Sequence, residues 1–481
     1  MTENIEKNTE VLDYRLAAVV PSNRQVVWQK MEFYSLVCFG INTFTGREWG
    51  TGTESEKIFN PTAFDASQWV DSVKAAGMKG MILTCKHHDG FCLWPSRYTR
   101  HSVAESPFRN GKGDVVREVS DACRKGGIRF GIYLSPWDRN SPLYGQGKAY
   151  DDYFVNQLTE LLTGYGEICS VWFDGACGEG PNGKKQIYDW ERYYEVIRRL
   201  QPDACIHVCG PDVRWCGNEA GDTRPSEWSV VPKRTSETER IASKSQQADE
   251  TGFRERKISA DDQDLGSRSL LVDEPELIWY PAEVDTSIRP GWFYHKEEDE
   301  QVRSLNELLD IYYRSVGGNT GLLLSIPPTK EGLFHENDVK RLRQIGEYLR
   351  KTFAKNLLEG ATLKADTWKE GYEIEQVRQD DYDGCFRTED GVRTAEITIT
   401  FPEPKKVSHV VLKENIRMSQ RIENFEVVAM DLKSGEENAV GCGTVVGYKK
   451  IIRFPEIRTN SLTIRITDSR VCPTLSFIGV Y

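Results

Sequence analysis

KGMILTCKHH (79–88), DVVREVSDACRKGG (114–127) and IRFGIYLS (128–135) form the stretch on which the fold turns. The outer segments carry runs of consecutive apolar residues rather than an alternation, as a strand does when both of its faces are covered. The middle segment has the spacing of an amphipathic helix, with Asp114 as its N-cap and Gly127 at its end. Covered strand, helix, covered strand is a parallel β/α unit. The unit repeats in both directions. Upstream lie a strand in SLVCFGINTF (35–44) and a helix in ASQWVDSVKAAG (66–77), ended by Gly77. Downstream come YFVNQLTELLTGYG (153–166), ICSVWFDG (168–175), YDWERYYEVIRRLQP (188–202) and ACIHVCG (204–210). GLLLSIP (321–327) reads as the closing strand and 335–353 as the helix after it. This many units favours a (β/α)8-type barrel over an open sheet. No G-x-G-x-x-G follows the first strand, which weighs against dinucleotide binding. Residues 231–270, rich in Lys, Arg, Glu, Ser and Gln, read as a solvated, partly helical excursion at the barrel rim.

Beyond Phe353 the texture changes. TAEITITF (394–401), KVSHVVLKE (406–414), ENFEVVAMDL (423–432), KKIIRF (449–454), SLTIRIT (461–467) and LSFIGVY (475–481) alternate apolar and polar residues at short spacing. That is the pattern of an antiparallel β-sandwich. The expected division is a barrel over 1–354 and a sandwich over 355–481, in keeping with a length too great for one ordinary core.

With 39% hydrophobic and 28% charged residues the chain reads as soluble and globular. A formal charge of −11 argues against nucleic acid as a partner, because phosphate binding needs a basic face. No apolar run approaches membrane-spanning length. The opening MTENIEKNTEVL lacks the apolar core of a signal peptide. A chain that begins there natively is expected in the cytoplasm; one from which a leader was trimmed would be secreted or periplasmic. The 12 Cys include no C-x-x-C and no metal-ligand spacing, and those inside apolar strands read as small hydrophobes. The 12 Trp and 20 Tyr are the more informative residues. Aromatic rings stack on the apolar faces of sugars, although most such rings in any protein fill cores.

Barrel enzymes place their chemistry at the C-terminal ends of the strands. There this sequence puts Asn42 with Glu48 and Trp49, then His87, His88 and Asp89, then Tyr133 and Trp137, and Asp174 between Phe173 and Gly175. Trp beside carboxylate on one rim points to a carbohydrate pocket. Glycoside hydrolysis needs two carboxyl groups flanking the bond, and in a retaining enzyme they lie roughly 5–5.5 Å apart. A strand-end Asp174 suits the nucleophile, which must be ionised and rigid. The acid needs a raised pKa from burial or a neighbouring carboxylate. Glu219, in GPDVRWCGNEAG (210–221), is a candidate. On chemistry alone Glu48, Asp89, Asp212, Glu227 and Glu283 compete with it.

GREWG, KHHDGFCLWPS, GIYLSPWD, VWFDGA and GPDVRWCGNEAG, in that order, resemble the α-L-fucosidases of glycoside hydrolase family 29. The resemblance spans the chain. VVLKENIRMSQRIENFEV, GYKKIIRF and RITDSRVCPTLSFIGVY are similar to the discoidin-like sandwich that follows the barrel in many members. The resemblance implies that Asp174 is the nucleophile. In the branch selective for α-1,3/1,4-linked fucose the acid/base lies about 45 residues on in an N-E-A/G-G-like loop, which implies Glu219. It implies fucose contacts from His87 and His88, from Glu48 and Trp49, from Tyr133, Trp172 and Arg214, and from Trp292 on the fucose methyl side. Many members have His on the first strand where this chain has Asn42, a mark of the same branch. The partner so implied is a fucosylated oligosaccharide or glycoconjugate, with no cofactor.

For His87-His88-Asp89 the rival reading is a metal site. Adjacent residues seldom supply three ligands, and no H-x-E or H-E-x-x-H accompanies them, so hydroxyl recognition is expected and metal is not. His207, within the apolar ACIHVC run, reads as a core histidine; His101, His295 and His335 read as structural. A fucosidase of broader linkage range, a different barrel glycosidase such as an α-galactosidase, and a catalytically silent sugar-binding protein stay open as alternatives.

Overall fold

The computed structural model describes residues 2–245 and 256–481. Two helices, α1 (Thr2–Ala17) and α2 (Asn23–Gln29), precede the first barrel strand β1 (Phe33–Val37). After a short α3 (Ile41–Thr45), the chain runs through α4 (Ala66–Ala75), β2 (Gly80–Lys86), α5 (Val115–Gly126), β3 (Arg129–Leu134), α6 (Lys148–Gly164), β4 (Ser170–Phe173), α7 (Trp190–Leu200), β5 (Cys205–Val208) and β6 (Arg214–Trp215). A rim excursion then holds β7 (Val230–Pro232), α8 (Thr238–Ser245), α9 (Arg268–Leu271) and β8 (Leu277–Trp279), with β7 and β8 paired antiparallel. The barrel resumes with β9 (Ala282–Ser287), α10 (Leu305–Ser315), β10 (Gly321–Ser325) and α11 (Glu336–Thr352). The 231–270 excursion is thus partly helical as expected, though its residues 246–255 lie outside those described.

Eight parallel strands form one sheet in the order β5-β4-β3-β2-β1-β10-β9-β6. A single parallel bridge between His207 and Val213 brings its two ends together, so the barrel is nearly closed. Strands β1, β2, β4, β5 and β10 are buried along their whole length, which is why they read as continuous apolar runs. Asp114 caps α5 by accepting the Arg117 amide at 2.9 Å, and Gly127 ends it in the left-handed conformation at φ 69°.

Two barrel strands escape the apolar pattern. AEVDTS of β9 is buried throughout, yet Glu283 and Asp285 point their carboxyls into the interior. Glu283 is satisfied there by Tyr34, by the Trp172 indole at 2.8 Å and by His207 at 2.8 Å. A buried polar group is tolerated when it is hydrogen-bonded. The second is β6, which follows β5 without an intervening helix. The chain reverses within 209–213 through Val208 at φ 63°, a conformation rare for a β-branched residue and costing about 1–3 kcal/mol. The Tyr280 hydroxyl holds this corner by donating to the carbonyls of Val208 and Gly210 at 3.2 and 2.7 Å. Within GPDVRWCGNEAG, Arg214 and Trp215 are thus themselves a barrel strand, ahead of Glu219.

The C-terminal strands are β11 (Thr362–Ala365), β12 (Phe386–Arg387), β13 (Ala395–Lys413), β14 (Ile422–Met430), β15 (Glu437–Gly443), β16 (Lys450–Ser469), β17 (Thr474–Leu475) and β18 (Phe477–Val480). Where the sequence suggests two strands over 394–414 and two over 449–467, the structure has one long strand each, β13 and β16, paired antiparallel with irregularities between Thr400 and Lys405 and between Val407 and His409. Such breaks let one strand serve both faces of a sandwich. Residues from both halves, among them Ile397, Phe401, Val410 and Leu412, share one core. This unit is seamed to the barrel. The Ser229 amide donates to Gln420 at 2.8 Å, Ser226 bonds Thr444, and Asn319 bridges the Glu227 carbonyl and the Tyr448 amide at 2.8 and 2.7 Å. Among the described residues no helix is long and apolar enough to cross a membrane.

Candidate active site

Asp174 sits one residue past β4 and is a fifth exposed. The Tyr133 hydroxyl donates to its Oδ2 and the Ala176 amide to its Oδ1, both at 2.8 Å. Burial raises its pKa above the usual aspartate value, and these two donors work against that rise. α8 lies close over this turn: a Cβ on Gly175 would press on the Ser245 side chain, which would have to shift to admit it.

The paired histidines come from the loop after β2. Asn42 Nδ2 donates to the Glu48 carbonyl at 3.0 Å, which fixes the orientation of its amide, and to His87 Nδ1 at 3.3 Å. His87 Nδ1 is therefore an acceptor, and its proton sits on Nε2. Ser135 donates its hydroxyl to the Trp137 carbonyl at 2.7 Å, so it accepts from His88 Nδ1 at 2.7 Å. His88 Nε2 is then a bare acceptor, 3.9 Å from Asp174 Oδ2. Burial holds both rings neutral, His87 well below the ordinary histidine value and His88 down to about 3. The network thus assigns one donor and one acceptor to neighbouring imidazoles, a complement for hydroxyl groups.

Glu48 is a fastener. Its carboxylate accepts the amides of Trp292 and Phe293 at 2.9 and 3.3 Å and bonds His295 Nε2 at 2.7 Å. That hydrogen bond raises the His295 pKa. The segment so held carries Trp292, whose indole donates to Glu219 Oε2 at 3.2 Å. A Cβ on Gly291 would lie 2.5 Å from Glu48 Oε1, so the approach is close. Glu48→Ala leaves these donors without their acceptor and frees Trp292 to drift. Displacements of about 1 Å in such positioning groups cost on the order of 10²-fold, and that loss in kcat/KM is expected. Glu48→Gln, which keeps one carbonyl acceptor, should lose less; equal kinetics for Glu48→Ala and wild type would refute the fastening role.

Glu219 lies in the loop after β6. Burial, then the charge of Asp174, lifts its pKa to about 7, opposed by the Trp292 indole. Trp49 stands edge-on to His88 and Trp137 at 5.5 and 5.3 Å between ring centres. Trp172 lies under the site, stacked on Tyr133 at 4.9 Å with its indole N–H spent on Glu283. The Arg214 guanidinium pairs with Glu227 at 2.9 Å. Asn42, Glu48, Trp49, His87, His88, Tyr133, Asp174, Glu219 and Trp292 are linked by these contacts into one site.

The competing carboxylates have other work. Glu227 bridges Arg214 and Arg224 and, despite burial, is held below the usual glutamate range by them. Asp212 pairs with Arg24 and Arg198. Asp89 accepts the Phe91 amide at 2.7 Å, ordering the histidine loop. Glu283 is sealed in the barrel interior together with His207, which bonds Ser170 at 3.1 Å by its other nitrogen. Among the described residues no group of three or more His, Cys, Asp or Glu could hold a metal ion.

Two residues of the site carry no signal in the sequence. His295 follows Trp292 by three positions; nothing around it distinguishes it from a structural histidine. Asp285, on β9, accepts the Trp215 indole at 2.8 Å. Burial, then the carboxyls of Glu219 and Glu283, pushes its pKa well above the ordinary aspartate value. Asp285→Asn keeps the shape and carries no charge at any pH. It is expected to preserve kcat/KM within about threefold, the range of a modest hydrogen-bond change, with the alkaline limb of the pH profile unmoved. A limb displaced to lower pH would mean that the native Asp285 is ionised.

A parallel barrel whose rim gathers two electrostatically linked carboxyls, two neutral histidines and three tryptophans is that of a glycoside hydrolase. Residues 20–353 match the family model described as Alpha-L-fucosidase. Alpha-L-fucosidase 1 of Arabidopsis thaliana is 39% identical over 468 residues, covering 96% of this chain and 87% of its own. A Ruminococcus gnavus family 29 fucosidase, solved in complex with fucose, is 30% identical with a TM-score of 0.82, covering 96% of this chain and 95% of its own. A family 29 member from an unknown rumen bacterium is 37% identical with a TM-score of 0.77, covering 96% and 77%. The chain belongs to the α-L-fucosidases of glycoside hydrolase family 29, and the α-galactosidase alternative is set aside.

Proposed function

We propose that the protein is a retaining exo-α-L-fucosidase that releases terminal α-1,3/1,4-linked L-fucose from Lewis-type oligosaccharides and glycoconjugates. Asp174 attacks the anomeric carbon and Glu219 protonates the leaving oxygen; Glu219 then deprotonates the water that opens the fucosyl-enzyme. The observation that carries this reading is the unlike treatment of two neighbouring carboxyls. Asp174 receives two donors that favour its charged form. Glu219 receives the Trp292 indole and is lifted to about 7, protonated in the pH range where a general acid is useful. His87, His88, Trp49 and Trp292 bind fucose, Asn42, Glu48 and Tyr133 hold these groups and the nucleophile in register, and Trp172 forms the floor. The catalytic unit is 1–354; the discoidin-like unit 355–481 has its own core and no assigned ligand.

The linkage part of the proposal is supported by the Asn42 position and the Glu219 loop. Galactose beside the fucosylated GlcNAc would add remote binding used to lower the barrier, so truncated substrates lose rate as well as affinity. Lewis a and Lewis x trisaccharides are expected to exceed aryl fucosides and 2′-fucosyllactose by about 10²-fold in kcat/KM, the reach of a few kcal/mol of remote binding. Product analysis on that panel is the test. Equal values on all of them would overturn the linkage assignment and leave the fucosidase activity intact.

A further inference from the structure

A second, small cavity of about 50 Å³ lies between β6 and α8. Its lining includes Arg214, Trp215, Arg224, Arg240, Lys244 and Asp262. Trp215, Cys216 and Gly217 of its wall lead directly into Asn218 and Glu219. The cavity therefore stands beside the loop that carries Glu219.

Among the described residues its charges do not balance. Arg214 and Arg224 share one carboxylate, Glu227, at 2.9 Å each. Arg240, at 3.3 Å, and Lys244 share Asp262. Four cations thus face two acids. At the mouth, Arg240 and Lys244 are 37% and 40% exposed. At the inner end Arg214 is 5% exposed, and its Nη1 is buried with no hydrogen-bond partner among the described residues. A buried guanidinium N–H₂ without an acceptor is uncommon, and arginine is suited to planar oxyanions.

We propose that this cavity is a subsite for an anionic group, a sulfate ester or carboxylate carried on the glycan beyond its fucose. The inference rests on the reading of Glu219 as acid/base, which sets the leaving-group side. The oxyanion accepts from Arg214 Nη1 inside and from Arg240 and Lys244 at the mouth. Charged fucosylated glycans are then better substrates than their neutral counterparts.

The test compares a neutral Lewis-type trisaccharide with the same sugar bearing sulfate and with its sialylated form. Turnover of the neutral sugar is the control for the activity itself. With wild type, at least one charged substrate is expected to show a KM about tenfold lower, as for a charge-assisted hydrogen bond in a protected site. Sodium sulfate should compete with that substrate more than sodium chloride of equal ionic strength does, separating an oxyanion site from general screening. The double variant Arg240→Gln/Lys244→Gln should lose the preference and keep the neutral kcat/KM, and Arg240→Lys should retain part of it. Equal KM for charged and neutral sugars overturns the proposal and leaves the fucosidase activity standing. So does a preference that survives the double variant, or equal inhibition by the two salts.

Discussion

Asp174→Gly should lose roughly 10⁴-fold or more in kcat/KM, the scale seen when a nucleophile is removed from a two-step enzyme. The protein should fold, because Asp174 is partly exposed and its two donors, Tyr133 and the Ala176 amide, can turn to water. Azide can then occupy the vacated space and attack the anomeric carbon while Glu219 still protonates the leaving oxygen. That is one displacement, so the product is the β-fucosyl azide. Asp174→Asn keeps the shape without the charge and should be as inactive. Near-normal turnover by Asp174→Asn would remove Asp174 from the nucleophile role.

Glu219, as the proposed acid/base, is expected to govern a different part of the reaction. In Glu219→Gln, natural substrates, with their poor sugar leaving groups, should lose about 10²–10⁴-fold in kcat/KM, the usual worth of general acid catalysis. A 2,4-dinitrophenyl fucoside needs little protonation, so its first step should survive. The second step lacks its base and the fucosyl-enzyme should accumulate. Azide attacking that intermediate needs no base, and two displacements give the α-fucosyl azide. The two variants are thus told apart by the stereochemistry of one product. The pH profile supplies an independent check. In the proposed role Glu219 must be protonated to act, and burial with the Asp174 charge lifts its pKa to about 7. Wild-type kcat/KM should therefore fall as pH rises through about 7, and Glu219→Gln should lose that limb. Equal losses on both substrate classes, no azide response and an unchanged limb would point to another acid.

Much of the barrel and of its rim is legible in the amino-acid sequence, and the boundary of legibility has a physical cause. Strands such as β2 and β4 are covered on both sides by apolar packing, so their composition announces them, and with them Asp174 at a strand end. β9 is equally buried, but its interior is a hydrogen-bonded polar cluster. Glu283 with Tyr34, Trp172 and His207, and Asp285 with Trp215, have the composition of loop residues. β6 is hidden by its brevity and by the tight corner at Val208, where the usual crossover helix is absent. Glu219 stands out only by its place in a motif, since a loop carboxyl has no pattern of its own. The tie from Glu48 to His295 crosses 247 residues of chain, a distance over which local spacing carries no information.

The seam between the two units bears on how such enzymes can be rebuilt. Gln420, Thr444 and Tyr448 hold the segment 226–229 and its neighbour Asn319, and Glu227 of that segment anchors the two arginines behind the Glu219 loop. The C-terminal unit is therefore a brace for the loop of the proposed proton donor rather than cargo on a finished catalyst. Recombining a barrel with a sandwich from another lineage would exchange one side of a lock without its key, and the seam residues are the ones to carry across together.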